Sequence, residues 1–213
     1  MATRAFQRLP TAPAGRILAL RLAAIVLSLF IIAGVLALSG HSPLMLAELI
    51  LRSTIGSRFG LEDLALFMCP LLLTGAAVCV CGTIGLWNIG AEGQFYAGAI
   101  AATGVALGLH GPAVVLLPLM TIAGIAGGMA WITVPTLARA YAGVNEIITT
   151  LLLNFIASLL TYYLTTGPWR DRISGAQVST QRIPVAIPEM WGIVHWGFPV
   201  AIVIVIGLAL VLS

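Results

Sequence analysis

The chain has 213 residues, of which 60% are hydrophobic and only 8% charged, and its mean hydropathy is +1.09; a soluble domain carries roughly 25% charged residues, so an ordinary water-soluble fold is excluded. The net charge of +3 comes from Arg residues alone. They flank apolar runs and form no single basic stripe, which leaves no nucleic-acid signature, and without a Lys no phosphate-binding P-loop can form.

A bilayer core about 30 Å thick takes roughly 20 apolar residues per helix. Windows of that kind predict transmembrane helices over 22–38, 64–85, 91–109, 113–134, 147–164 and 198–212. The expected fold class is an all-α integral membrane protein of about six transmembrane helices, the last truncated, with a Gly-rich break between the second and third. One membrane-spanning domain over 1–213 is expected, incomplete at its C-terminus because the last span reaches Ser213 without a polar flank.

Arg4, Arg8, Arg16 and Arg21 precede the first span with no acidic residue among them, which predicts a cytoplasmic N-terminus. The stretch Ala37, Leu38, Ser39 offers a signal-cleavage alternative, but the apolar run before it is longer than the 7–15 residues or so of a signal core. Alternation then places 41–63 outside, 136–146 inside and 167–197 outside. Arg139 suits the inner loop, whereas Arg170, Arg172 and Arg182 lie in the outer segment against the charge rule. That segment also holds Pro168, Pro184 and Pro188 with Trp169, Trp191 and Trp196, and is expected to be an irregular cap on the membrane surface.

Cys69, Cys79 and Cys81 all fall in the second span, where they read as buried thiols with no metal-ligand spacing. Gly104 with Gly108, and Gly124 with Gly128, have the four-residue spacing of close helix packing. His41, His110 and His195 sit near span ends, and the chain has neither a Gly-x-Ser-x-Gly elbow nor a His-Glu-x-x-His pair, so an enzyme is not expected.

Two stretches carry chemistry. The first, Gly85-Leu86-Trp87-Asn88-Ile89-Gly90-Ala91-Glu92-Gly93-Gln94, sets amides and a carboxylate between long apolar runs. Polar groups at membrane depth are tolerated only against protein or a water-filled path. Its glycines predict a broken backbone, after which Asn88 caps a helix beginning near Ala91, with Asn88, Glu92 and Tyr96 four residues apart on one face. The helix start then aims its amide hydrogens at a ligand; the bland alternative is a cytoplasmic turn with a solvated Glu92. In the second stretch, Glu146, Thr150, Asn154, Ser158, Thr161 and Thr165 share one helix face, a stripe of about 28 Å at 1.5 Å per residue. It either lines a path, with Asn154 foremost, or hydrogen-bonds neighbouring helices.

The first stretch, together with Gly143-Val144-Asn145-Glu146-Ile147-Ile148-Thr149-Thr150-Leu151-Leu152-Leu153-Asn154-Phe155-Ile156-Ala157 and Thr166-Gly167-Pro168, resembles the permease subunits of bacterial ABC importers for nucleosides and simple sugars, the nucleoside branch in particular. The likeness covers most of the chain after the Arg-rich start. It implies a multi-pass protein of the bacterial inner (plasma) membrane. The partners it implies are a second permease chain, ATP-binding subunits that hold ATP and Mg, an external substrate-binding protein and membrane lipid; no nucleic acid and no cofactor on this chain are expected. Such permeases have more spans than this chain, and their ATPase-docking segment is not found before Ser213. The resulting candidate path residues are Trp87, Asn88, Glu92, Gln94, Tyr96, Glu146, Thr150, Asn154 and Ser158. Trp87 would stack on a base or sugar face, while Asn88, Gln94 and Asn154 would bond polar edges. The rival readings are a structural or assembly membrane protein, whose polar groups only hold helices together, and a secondary transporter or channel working without an ATPase.

Overall fold

A computed structural model describes residues 13–173 and 178–212; Arg4, Arg8 and Ser213, on which the expected orientation and incomplete end rest, lie outside the described residues. The chain divides into two units, 1–57 and 58–213.

The first unit holds α1 (Ala14–Leu38) and α2 (Pro43–Thr54). Helix α1 follows Pro13, whose fixed φ suits a helix start, and stops where Gly40 takes a φ of +79°. Helix α2 was not expected, since its residues fall in the predicted outer segment 41–63. It begins on local signals: Ser42 accepts a hydrogen bond from the Met45 amide and Pro43 occupies the first turn.

The second unit is built from α3 (Arg58–Thr83), α4 (Ala91–Gly108), α5 (Ala113–Ala142), α6 (Glu146–Thr166) and α7 (Gly197–Leu212), with a small antiparallel hairpin of β1 (Glu189–Trp191) and β2 (Val194–His195). The six predicted spans thus correspond to α1 and α3 to α7. Among the described residues, four helices are long and apolar enough to cross a membrane: α1, α3, α5 and α6. Helix α4 has 18 residues and α7 has 16 described ones. Helix α5 runs eight residues beyond the predicted end at 134, past a Pro135 buried in the bundle. The hairpin, and the antiparallel bridge of Arg170 with Thr180, give order to the segment expected to be irregular.

Side chains of the second unit sort by size. Ala91, Ala97, Ala106, Ala157 and Ala201 are buried, while Phe67, Leu71, Ile122, Phe155 and Leu159 point outward. In water that pattern would be untenable. In lipid, helices associate by close packing of small residues, not by burying large apolar ones. Helix α4 is the centre of this packing: it runs antiparallel to α5 and parallel to α6. A Cβ on Gly98 would meet the Gly124 carbonyl oxygen at 2.9 Å, and one on Gly127 would meet the Ala101 Cβ at 2.7 Å. Gly124 and Gly128 therefore pack as expected, whereas among the described residues nothing approaches Gly108 and only the Trp169 ring is near Gly104. Helix α3 packs on α7 and on the hairpin, with the Cys69 Sγ 3.6 Å from the Gly197 carbonyl oxygen. Of the other thiols expected to be buried, Cys81 is half-buried and Cys79 is exposed.

Candidate functional site

Helix α3 ends at Thr83, the chain turns left-handed at Gly85 (φ +72°), and α4 starts at Ala91. The predicted break between the second and third spans is therefore present. Asn88 is buried, and its Oδ1 accepts the Gly90 amide at 3.0 Å while its Nδ2 donates to the Gln94 Oε1 at 3.3 Å. It closes a turn two residues ahead of the helix; Gly90, not Asn88, occupies the cap position. Asn88 consequently lies outside α4, so the four-residue face expected to unite it with Glu92 and Tyr96 does not form.

Two residues of α6 grip this break. The Asn154 Nδ2 donates to the Ile89 carbonyl at 2.6 Å, and its Oδ1 accepts the Gly93 amide at 2.6 Å. Thr150 is buried against Gly90, where a Cβ would come within 2.9 Å of the Thr150 Cβ. A Cβ on Gly93 would lie 2.7 Å from the Asn154 Oδ1 and 3.1 Å from the Trp131 Nε1. Glycine at these two positions lets α4 and α6 approach closely enough for the amide clasp. The Gly93 amide, expected to be free for a ligand, is thereby bound within the chain.

The clasp also sets the depth of the break. Thr150 and Asn154 follow the start of α6 by four and eight residues, or about 6 and 12 Å at 1.5 Å per residue. Trp131, level with Gly93, precedes the end of α5 by 11 residues, or about 16 Å. The buried residues of the break, Asn88, Gly90, Ala91 and Gly93, thus pack one to two turns along α6 from the α5–α6 turn, while Ile84, Trp87, Ile89 and Glu92 are exposed.

Below it, towards the α5–α6 turn, opens a cavity of about 350 Å³, within the usual range of roughly 300–1,000 Å³ for small-molecule sites. Its walls are Cys81, Ile84, Leu86, Ile132 and Pro135, and its polar groups are Trp87, Asn88, Thr136, Arg139, Glu146 and Thr150. Arg139, in the last turn of α5, and Glu146, in the first turn of α6, form an ion pair across the left-handed Gly143. Each charge also complements its own helix dipole. Helix α6 is capped by Asn145, whose side chain accepts the Ile147 amide at 2.8 Å.

Of the nine candidate residues, Trp87, Asn88, Glu146 and Thr150 meet at this cavity and Asn154 holds its roof. Gln94 touches Asn88 and lines a separate apolar groove between α4 and α5. Tyr96 lines a small cavity of about 80 Å³ with Thr103, Thr161, Thr165 and Trp169. Glu92 and Ser158 are exposed. Arg139, Trp131 and Pro135 were not singled out, although Gly124, Gly128, Trp131, Pro135 and Arg139 follow spacings of four, three, four and four. Extending the small-residue stripe along α5 would have reached them.

The Trp131 Nε1 is buried beside the clasp with no hydrogen-bond partner among the described residues. Replacing Trp131 with Phe removes a donor that gains nothing in place but also removes packed ring volume. Thermal unfolding of the Trp131→Phe protein is expected to show only the packing loss, about 1 kcal/mol. A loss of about 3 kcal/mol or more would show that this nitrogen has a partner.

A family model described as branched-chain amino acid transport system / permease component matches residues 60–213. The glucose ABC transporter permease protein of Haloferax volcanii is 43% identical over 145 residues, covering 68% of this chain and 38% of that protein. The guanosine ABC transporter permease protein of Bacillus subtilis is 33% identical over 70% of this chain and 43% of its own length. The nucleoside ABC transporter permease protein of Lactococcus lactis is 31% identical over 68% of this chain and 40% of its own. The chain spans about two fifths of the length of the curated relatives it matches. No solved structure matches it significantly. A multi-pass helical membrane chain with a clasped polar break, matched over most of its length, this protein belongs to the family of branched-chain amino acid transport system permease components.

Proposed function

We propose that this chain forms the translocation path of an ATP-binding-cassette importer for a nucleoside or a simple sugar. The observation that carries the reading is the cavity beside the clasped break, where the exposed Trp87 indole, the buried Asn88 amide, the Thr150 hydroxyl and the Arg139–Glu146 pair line one opening in an otherwise apolar bundle. The relatives, named as glucose, guanosine and nucleoside permeases, supply the substrate classes. Trp87 offers a flat face to a base or a pyranose ring, and Asn88, Thr150 and the Arg139–Glu146 pair offer donors and acceptors to its hydroxyls and ring nitrogens. Trp87, Asn88, Glu146 and Thr150 are the substrate-facing members of the candidate set. Glu92, Gln94, Tyr96 and Ser158 belong to other stretches of the path, and Asn154 holds the roof.

ATP and Mg act on partner ATP-binding subunits, a second permease chain completes the path, and an external binding protein delivers the ligand. The location is the bacterial inner membrane with the N-terminus in the cytoplasm, so the cavity faces inward. Both units of the chain serve one permease domain surrounded by lipid.

The test is uptake of radiolabelled guanosine and glucose by the complete permease reconstituted with its ATPase and binding protein. Trp87→Ala is expected to raise the KM for the transported ligand about tenfold, the equivalent of 1.4 kcal/mol of lost stacking and burial, while the complex still assembles. Unchanged uptake would remove Trp87 and the cavity from the path. Uptake that persists without ATP would favour a secondary transporter or channel.

A further inference from the structure

Helix α2 has no role in the site, yet its sequence is unusual for a connection between spans. It has 12 residues, about 18 Å at 1.5 Å per residue, too short for a bilayer core of about 30 Å. Residues 39–42 join it to α1, and residues 55–57 lead from it to the start of α3; both of those helices are long and apolar enough to cross a membrane. A helix tethered so closely to two spans, and unable to span itself, is held at a membrane boundary.

Its side chains are arranged for that place. Glu48 and Arg52, four residues apart, form an exposed ion pair with an Nη2 to Oε1 distance of 2.6 Å. Leu46 and Ile50, also four apart, project from the opposite side of the helix, because a two-residue step from Ile50 to Arg52 turns about 160° away at 3.6 residues per turn. Leu49 and Ile50 on that side are exposed, as are Leu51 at its edge and Leu44, which lies one turn before Glu48 on the charged side. Beside them, a recess of about 320 Å³ between the end of α1 and α2 is lined by Leu36, Met45, Leu46 and Leu49, with His41 and Ser42 at α2's start. The apolar side is too broad to be left in water, and the polar stripe is one self-neutralising pair.

We propose that α2 lies flat in the membrane interface on phospholipid, with Leu46 and Ile50 towards the acyl chains and Glu48 and Arg52 towards water, and that the recess beside α1 takes part of an acyl chain. Because the stripe carries no net charge, the hydrocarbon boundary and not the headgroup charge holds the helix. Interfacial helices of this kind bury their apolar face roughly 5–10 Å below the headgroups.

The experiment places a nitroxide at Ile50→Cys or Arg52→Cys in the complete permease, with Cys69, Cys79 and Cys81 replaced by Ala, in phosphatidylcholine vesicles with and without phosphatidylglycerol. Oxygen, which concentrates in lipid, is expected to relax the label at 50 several-fold more than a water-soluble nickel chelate does, with the reverse at 52, in both kinds of vesicle. A label at 50 reached by the chelate overturns the proposal. So does a label at 50 shielded from both reagents, since a protein surface then covers the helix. Should the cysteine-free chain fail to assemble, a benzophenone amino acid at position 50 of the otherwise natural chain replaces the label: a lipid adduct supports the proposal, and a protein adduct overturns it.

Discussion

Asn154→Leu is expected to abolish uptake and to destabilise the permease at the same time. The amide of Asn154 joins two backbone groups of the break, the Ile89 carbonyl and the Gly93 amide, each at 2.6 Å. Leucine keeps the bulk and removes both partners. The Gly93 bond is part-buried, and an orphaned buried group costs about 1–3 kcal/mol; the Ile89 bond is exposed, so water can replace it, and the substitution is expected to cost about 1–3 kcal/mol in all. That exceeds the ~0.6 kcal/mol typical of a single contact between membrane helices, because here the groups left behind are a non-helical carbonyl and a first-turn amide of α4 that has no partner within its own helix.

The measurement pairs thermal unfolding of the purified permease with ATP-driven uptake. Loss of uptake at unchanged unfolding temperature would make Asn154 a ligand-facing residue and not a clasp. Gly93→Ala provides an independent check. The new methyl would sit 2.7 Å from the Asn154 Oδ1, forcing α4 and α6 apart and breaking the same bonds. The two substitutions break the same bonds, so their costs are expected to sum to more than that of the double variant, the crowding of the new methyl against the backbone at 154 and the Trp131 Nε1 being the part that persists; simple additivity would separate the glycine from the clasp.

What could be read from the sequence depended on whether its cause was local. The apolar runs were legible because lipid demands them within each helix, and the break was legible because Gly85, Asn88, Gly90 and Gly93 crowd one short stretch. Asn154 stood foremost in the polar stripe because an amide both donates and accepts, but its partners lie 61 and 65 residues away, and spacing along α6 carries no information about them. The end of α5 was missed because Pro135 looks like a stop; a proline inside a membrane bundle is tolerated where neighbouring helices and side chains satisfy the freed groups. Helix α2 was missed because Glu48 and Arg52 interrupt its apolar run, and a helix lying on an interface lacks the continuous signal of one that crosses. Strands of three and two residues are below what alternation can reveal.

Glu62 was the least legible residue, since its hairpin partner Ile193 lies 131 positions away, and it supports the second large effect. Gly192→Ala is expected to release the hairpin and to destabilise the second unit by about 3 kcal/mol or more. The Glu62 carboxylate is buried, pairs with the Arg58 Nε at 2.8 Å and accepts the Ile193 amide at 3.3 Å. It lies against Gly192, whose φ is +54° and whose Cβ would be 2.0 Å from the carboxylate carbon. The left-handed backbone alone costs a non-glycine residue about 1–2 kcal/mol. The rest comes from expelling a buried carboxylate from its two partners, a change of the kind that costs about 1–3 kcal/mol or more when the orphaned group is charged.

These two causes separate by a mutant cycle. Glu62→Ala removes the obstacle, so Gly192→Ala in that background is expected to cost only the backbone term, and the pair together less than the sum of the singles. Hydrogen exchange over 189–196 reads the hairpin directly: protection should fall in either single variant, because Val194, which is buried between hairpin and α3, loses its seat once the turn lets go. Equal costs of Gly192→Ala with and without the Glu62 side chain would leave the left-handed turn as the whole cause and show that the carboxylate does not hold the hairpin.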